Sequence, residues 1–211
     1  MEALKIKVCG MRDPQNIEEV LKVAPDYLGY IFYSKSKRYV GAEPDPVIFD
    51  QVPETTKKVA VFVNEDLKEV LAICKKYQFK VAQLHGNESP EYCQEVRNNG
   101  ILVFKAFSVD EQFDFSVLES YQDAVDFFLF DTKGKLPGGT GLKFNWDILE
   151  NYQLKVPFFL SGGITPDDIQ AVSLFQHKQL FALDINSGFE LEPALKNVVQ
   201  VQTFINQFRK I

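Results

Sequence analysis

Eight short apolar runs punctuate the chain, at 4–8, 27–32, 59–63, 81–84, 102–106, 127–130, 156–160 and 180–183. They are rich in Val, Ile, Leu and Phe, and several show little polar alternation. That is the pattern of strands covered on both faces, as in a parallel sheet. The segments between them carry helical spacing. Residues 65–77 place Leu67, Val70, Leu71, Ile73 and Cys74 at three- and four-residue intervals, an amphipathic stripe. Ser89-Pro90 and Thr165-Pro166 have the cap-then-proline order of helix starts, the second with Asp167 and Asp168 where negative charge suits the helix dipole. A closing helix is expected within 193–208. The stretch 44–53, with its three prolines, reads as one short helical turn.

Alternating strands and helices build either an open doubly wound sheet or a closed barrel. Eight units favour an α/β fold of the (β/α)8 TIM-barrel kind. An open dinucleotide-binding sheet would also want a glycine fingerprint after its first strand, and Cys9-Gly10-Met11-Arg12 has no second or third glycine. No linker or low-complexity run divides residues 1–211, so a single compact domain is expected.

Composition narrows the partners. The chain of 211 residues is 45% hydrophobic and 25% charged, an ordinary globular balance. At this size roughly 70% of the extended surface is buried on folding, a core that needs no staple. A net charge of −6 argues against nucleic acid, which wants clustered cations, while a single small phosphate is compatible with it. The start of the chain has no signal-peptide pattern, and no run approaches ~18 apolar residues. Three cysteines, an odd number, fit a reducing compartment. The expectation is a soluble cytoplasmic protein with no membrane partner. Phe204 and Phe208 on the closing helix form either a subunit interface or a seal to the barrel, and the seal is favoured; a monomer and a homodimer both stay open.

In a barrel, function sits where strands run into their following loops. Polar residues gather there: Cys9, the loop from Tyr33 to Arg38, Asn64, Gln83 with His85, Lys105, Asp131, Ser161-Gly162-Gly163, and Asp184 leading to Asn186-Ser187-Gly188. Two glycine loops after the seventh and eighth strands suit phosphate, because glycines let backbone N–H groups approach an anion. Strand parity puts Lys5, Lys7 and Cys9 on one face, and Phe127, Leu129 and Asp131 on another nearly opposite. A cysteine accepts a proton only as thiolate, so a cation such as Lys7 or Arg38 has to lower its pKa. From chemistry alone Cys9 is as compatible with packing as with function, whereas Cys74 and Cys93 read as core. Taken alone, His85 reads as a hydrogen-bonded rim histidine, and the basic cluster Lys35, Lys37 and Arg38 as a solvated loop. The glycine-rich stretch 134–141 is either a covering loop for an acid at Asp131 or a surface excursion. No HxH, HExxH or CxxC spacing occurs, so no metal site is expected.

Taken in order, Lys7-Val8-Cys9-Gly10-Met11, Phe32-Tyr33-Ser34-Lys35-Ser36-Lys37-Arg38-Tyr39, Val61-Phe62-Val63-Asn64-Glu65, Gln83-Leu84-His85-Gly86, Asp131-Thr132-Lys133, Gly138-Gly139-Thr140-Gly141, Leu160-Ser161-Gly162-Gly163 and Asp184-Ile185-Asn186-Ser187-Gly188 resemble phosphoribosylanthranilate isomerase. The resemblance implies a TIM barrel of tryptophan biosynthesis that performs an Amadori rearrangement on a phosphorylated small molecule, without metal or cofactor. It implies Cys9 as general base, Asp131 as general acid and Arg38 on the anthranilate carboxylate. Gly162, Gly163, Asn186, Ser187 and Gly188 would hold the phosphate, with His85 and Asp184 lining the pocket.

The chain departs from the family pattern in two places. The family commonly has Ser where Asn186 stands, and Pro193-Ala194-Leu195-Lys196-Asn197 replaces a Pro-Gly-x-Lys-Asp stretch, which puts the start of the last helix in doubt. Two alternatives compete with the leading reading. The related histidine-pathway isomerase uses an aspartate where Cys9 stands, and a non-catalytic sugar-phosphate-binding barrel would need neither Cys9 nor Asp131.

Overall fold

The computed structural model describes residues 4–132 and 145–210. Eight parallel strands close into a barrel in sequence order: β1 Lys5–Val8, β2 Tyr27–Ile31, β3 Lys57–Phe62, β4 Val81–Leu84, β5 Leu102–Val109, β6 Phe127–Thr132, β7 Phe158–Leu160 and β8 Leu180–Ile185. The expected (β/α)8 barrel is therefore found, with each apolar run on a strand. Outward residues such as Ile6, Val8, Leu28 and Phe128 pack beneath the helices, while Tyr27, Val59, Val61, Val81, Phe104, Leu129, Phe159 and Ala182 fill the interior. Four phenylalanines join that interior plug, where Phe104 and Phe159 lie 4.6 Å apart, as do Phe127 and Phe181. The plug leaves the opposite mouth, at the strand C-termini, to polar groups.

The helices are α1 Pro14–Leu21, α2 Val47–Asp50, α3 Leu67–Lys76, α4 Pro90–Asn98, α5 Ile169–Leu174 and α6 Val198–Phe208. Ser89 caps α4 by accepting from Tyr92 N, and the proline-rich stretch yields the single turn α2, both as the sequence implies. The connections after β5 and β6 differ from the expected pattern, being 3-10 turns at Phe115–Tyr121 and Trp146–Asn151. Their apolar residues explain this. Phe115, Leu118 and Tyr121, and likewise Trp146, Leu149 and Tyr152, recur every third residue, which aligns them on one face of a 3-10 helix rather than an α-helix. Thr165-Pro166 similarly opens a 3-10 turn, Pro166–Asp168, that continues into α5.

The tail corrects the expected helix over 193–208. A small antiparallel hairpin, β9 Glu190–Glu192 and β10 Leu195–Lys196, precedes α6. Ala194 turns the chain with φ +70°, and the hairpin register sets Lys196 opposite Glu190. The helix start survives its altered sequence, because Asn197 accepts from Gln200 N as an N-cap. Phe204 and Phe208 are buried, with Phe204 against Phe189 at 5.0 Å, so they seal α6 to the barrel. Among the described residues no helix is long and apolar enough to cross a membrane. The glycine-rich stretch 134–141 lies outside the described residues.

Candidate active site

Cys9 follows β1 and belongs to the interior cluster, as parity requires. Its backbone N–H donates to Ile185 O, and the N–H groups of Gly10 and Met11 both converge on Gly29 O. Gly29 makes room for the thiol: a Cβ there would lie 2.6 Å from Cys9 Sγ. On the same inward face, fully buried Lys7 reaches Asp184 Oδ2 at 2.8 Å, and its charge acts on the Cys9 thiol. Burial works against the Lys7 charge, but Asp184 and Cys9 outweigh it and raise its pKa. Burial also pushes the Cys9 thiol up, opposed first by Lys7 and then by Lys196. The two cations whose charge opposes that rise are thus Lys7 and Lys196. Arg38, the other candidate from the sequence, is engaged elsewhere.

Across the barrel Asp131 lies on β6, in line with inward Phe127 and Leu129. Its Oδ1 accepts from Thr132 N at 2.8 Å, and its Oδ2 lies 3.4 Å from His85 Nε2. Gln83 positions the imidazole, its amide nitrogen lying 2.7 Å from Nδ1. Asp184 completes the floor. Burial raises its pKa against the pull of Lys7, nearby Asp131 adds to the rise, and its Oδ1 has no partner among the described residues.

The glycine loops meet both the acid and each other. Gly162, at φ +91°, has its missing side chain directed at Thr132 and Asp131, where a Cβ would fall 2.4 Å from Thr132 N. Gly163 follows at φ +65°, also a left-handed conformation. A Cβ on Gly188 would come within 2.2 Å of Ile164 O, so the loops after β7 and β8 are in direct contact. Gly10, beside Cys9, faces Arg38 Cδ and Asn186 Oδ1, each 2.7 Å from where its Cβ would be.

The basic loop divides. Lys35 and Lys37 are exposed, as a solvated loop would have them, whereas Arg38 is tucked in with an 11% exposed side chain. Arg38 grips Glu190 with two nitrogens, Nε to Oε1 at 2.9 Å and Nη2 to Oε2 at 2.6 Å. Glu190 also accepts from Lys196 Nζ at 2.6 Å. Neither Glu190 nor Lys196 stands out from the sequence as a site residue, although a lysine directly before the helix cap Asn197 was the available signal. Two expected rim residues lie outside the pocket. Lys105 points away from the interior, between β5 and the following loops, where it pairs with Glu88 at 3.1 Å and donates to Gly86 O. Asn64 is a loop clamp, accepting from Asn87 N at 2.6 Å. Cys74 and Cys93 are buried on α3 and α4, where they pack in the outer core, and burial raises both thiols to about 12.

Comparison with known proteins agrees with this geometry. The family model described as N-(5'phosphoribosyl)anthranilate (PRA) isomerase matches residues 6–207. The N-(5'-phosphoribosyl)anthranilate isomerase of Parabacteroides distasonis is 43% identical over 96% of this chain and 92% of its own. The crystal structure of phosphoribosyl anthranilate isomerase from Thermotoga maritima superposes with a TM-score of 0.88 at 30% identity, covering 99% of this chain and all of that one. A further structure of the enzyme was solved in complex with reduced 1-(o-carboxyphenylamino)-1-deoxyribulose 5-phosphate. It has a TM-score of 0.83 and 28% identity, over 99% of this chain and 100% of that one. With a barrel whose mouth joins a buried thiol, a carboxyl group and two glycine loops, this chain belongs to the N-(5'-phosphoribosyl)anthranilate isomerase family.

Proposed function

We infer that this chain converts N-(5'-phosphoribosyl)anthranilate to 1-(2-carboxyphenylamino)-1-deoxyribulose 5-phosphate, with Cys9 as general base and Asp131 as general acid. The family match favours this over the histidine-pathway isomerase and over a non-catalytic barrel. The observation that carries the assignment of roles is that Cys9 and Asp131 face the interior from β1 and β6, each with a polar partner of its own, Lys7 and His85.

Asp131 donates a proton to the ribose ring oxygen, and the bond from that oxygen to the anomeric carbon breaks. The nitrogen lone pair forms the iminium. Cys9, as thiolate, takes the proton from the adjacent carbon, which the iminium has made acidic. The resulting enolamine tautomerises to the ketone, moving a proton from the enol oxygen to the former anomeric carbon. One proton enters at oxygen and one leaves from carbon, so the step is a balanced isomerisation.

The ends of the substrate are anionic. Arg38, whose guanidinium spends Nε and Nη2 on Glu190, presents its remaining edge to the anthranilate carboxylate. Gly162, Gly163, Asn186, Ser187 and Gly188 receive the phosphate, where left-handed glycines expose backbone N–H groups. His85 and Asp184 line the space between. A relative that binds the reduced product analogue supports a ligand with these two ends. Loss of anthranilate-derivative fluorescence, on adding the protein to freshly made phosphoribosylanthranilate without metal, tests the reading. An unchanged signal, where an established isomerase consumes the substrate, rejects it.

A further inference from the structure

Lys196 is a fully buried cation at the end of β10, outside the catalytic pair. Its Nζ donates to Glu190 Oε1 at 2.6 Å and to Asn186 Oδ1 at 2.7 Å. Through Glu190 it is one bond removed from Arg38, and Asn186 lies in the loop after β8. Its backbone is fixed from the other side: Lys196 N donates to Asn16 Oδ1 at 2.8 Å, and Asn16 Nδ2 donates to Lys196 O at 2.9 Å. Glu190 is held independently by Ala194 N at 3.1 Å. An ammonium with three donors, anchored through its main chain to α1, therefore joins the two regions assigned to the two ends of the substrate.

We propose that Lys196 is a positioning residue that fixes the spacing between Arg38 and the phosphate loop by holding Glu190 and Asn186 in one frame. This rests on the reading of Arg38 and Asn186 given above. A buried lysine costs solvation, which these two acceptors offset only in part. Surface placement would avoid that cost, and no pocket-facing contact to a reacting atom is needed for the role. A two-ended ligand gains affinity when both anchors sit at the right separation, because the second contact is then intramolecular. Looseness in the frame leaves each anchor working and removes that gain.

The test compares one two-ended ligand with its two halves. In Lys196→Met, affinity for reduced 1-(2-carboxyphenylamino)-1-deoxyribulose 5-phosphate falls by about tenfold or more, while inhibition by anthranilate alone and by inorganic phosphate alone each changes less than about threefold. Binding involves no proton transfer, so any influence of the Lys196 charge on Cys9 does not enter. Glu190→Gln, which keeps size and removes charge, gives the same imbalance and serves if the methionine variant does not fold. Retention of the two-ended affinity overturns the proposal, as does a loss carried entirely by one half-ligand. Arg38→Met separates the premises: if it leaves anthranilate inhibition unchanged, the Arg38 reading itself fails. If Arg38→Met loses affinity for the analogue and Lys196→Met does not, only the positioning role fails.

Discussion

Lys7 Nζ lies 2.8 Å from Asp184 Oδ2 inside the barrel, at positions paired across β1 and β8. The charge of the same ammonium acts on Cys9, so one buried cation serves both a carboxylate and a thiol. Its charge is what opposes the effect of burial on the thiol.

Removing that charge moves the base upward. Lys7 lowers the Cys9 pKa, so Lys7→Met raises it further and the ascending limb of kcat/KM shifts to higher pH. At neutral pH the variant loses activity that alkaline buffer partly restores. The mutation also strands Asp184, at a stability cost of about 3 kcal/mol for a broken buried pair. Paired pH–rate profiles on folded protein check the shift, and a limb that stays in place removes Lys7 from the activation of Cys9.

Gly29 is required by the thiol it faces. A Cβ there would stand 2.6 Å from Cys9 Sγ and 3.1 Å from its Cα, so rotating the thiol alone does not relieve the contact. Gly29→Ala displaces the base and lowers kcat, by up to about 10²-fold for a shift approaching ~1 Å. Kinetics with a melting curve separates this from unfolding, since a stability loss with full kcat would mean that Cys9 tolerates the shift.

Barrel, strand order and the inward faces of β1 and β6 were legible in the sequence because strand parity is strict and each apolar run is bounded by polar residues. Glycine and polar residues at most strand ends marked the mouth, although Asn64 and Lys105, expected there too, lie outside the pocket. The Lys196–Glu190–Arg38 chain was not legible, since it depends on a two-strand hairpin whose turn is an alanine at positive φ rather than a glycine. The side on which Lys105 points followed from parity, but its polarity drew it toward the pocket. The 3-10 connections were hidden by an expectation of regular helices, although their three-residue spacing was present in the chain.

The turn at Ala194 makes a separate stability prediction. Its backbone is left-handed at φ +70° and its side chain is 2% exposed. Glycine relieves the backbone but loses a buried methyl and adds unfolded-state entropy, so Ala194→Gly stays within about 0.5 kcal/mol of the natural protein. A β-branched side chain is a poor fit to that conformation, and Ala194→Val loses about 2 kcal/mol or more. Urea denaturation of the two variants measures the difference, and equal stabilities would contradict the strain.

The two packing cysteines provide the contrast to Cys9. Cys74→Ala and Cys93→Ala each leave kcat within about twofold while costing roughly 1 kcal/mol as small cavities open in the core. Steady-state turnover and denaturation midpoints report both, and a large loss of kcat in either would mean that a second thiol takes part.

The most direct measurement is turnover of phosphoribosylanthranilate by Cys9→Ser beside Asp131→Asn, followed by fluorescence, with analogue affinity measured in parallel. Removing the base and removing the acid each lower kcat by about 10²-fold or more, and affinity for the reduced analogue stays within about threefold. A Cys9→Ser protein that turns over within tenfold of the natural chain, with affinity intact, would contradict the assignment of Cys9 as the base.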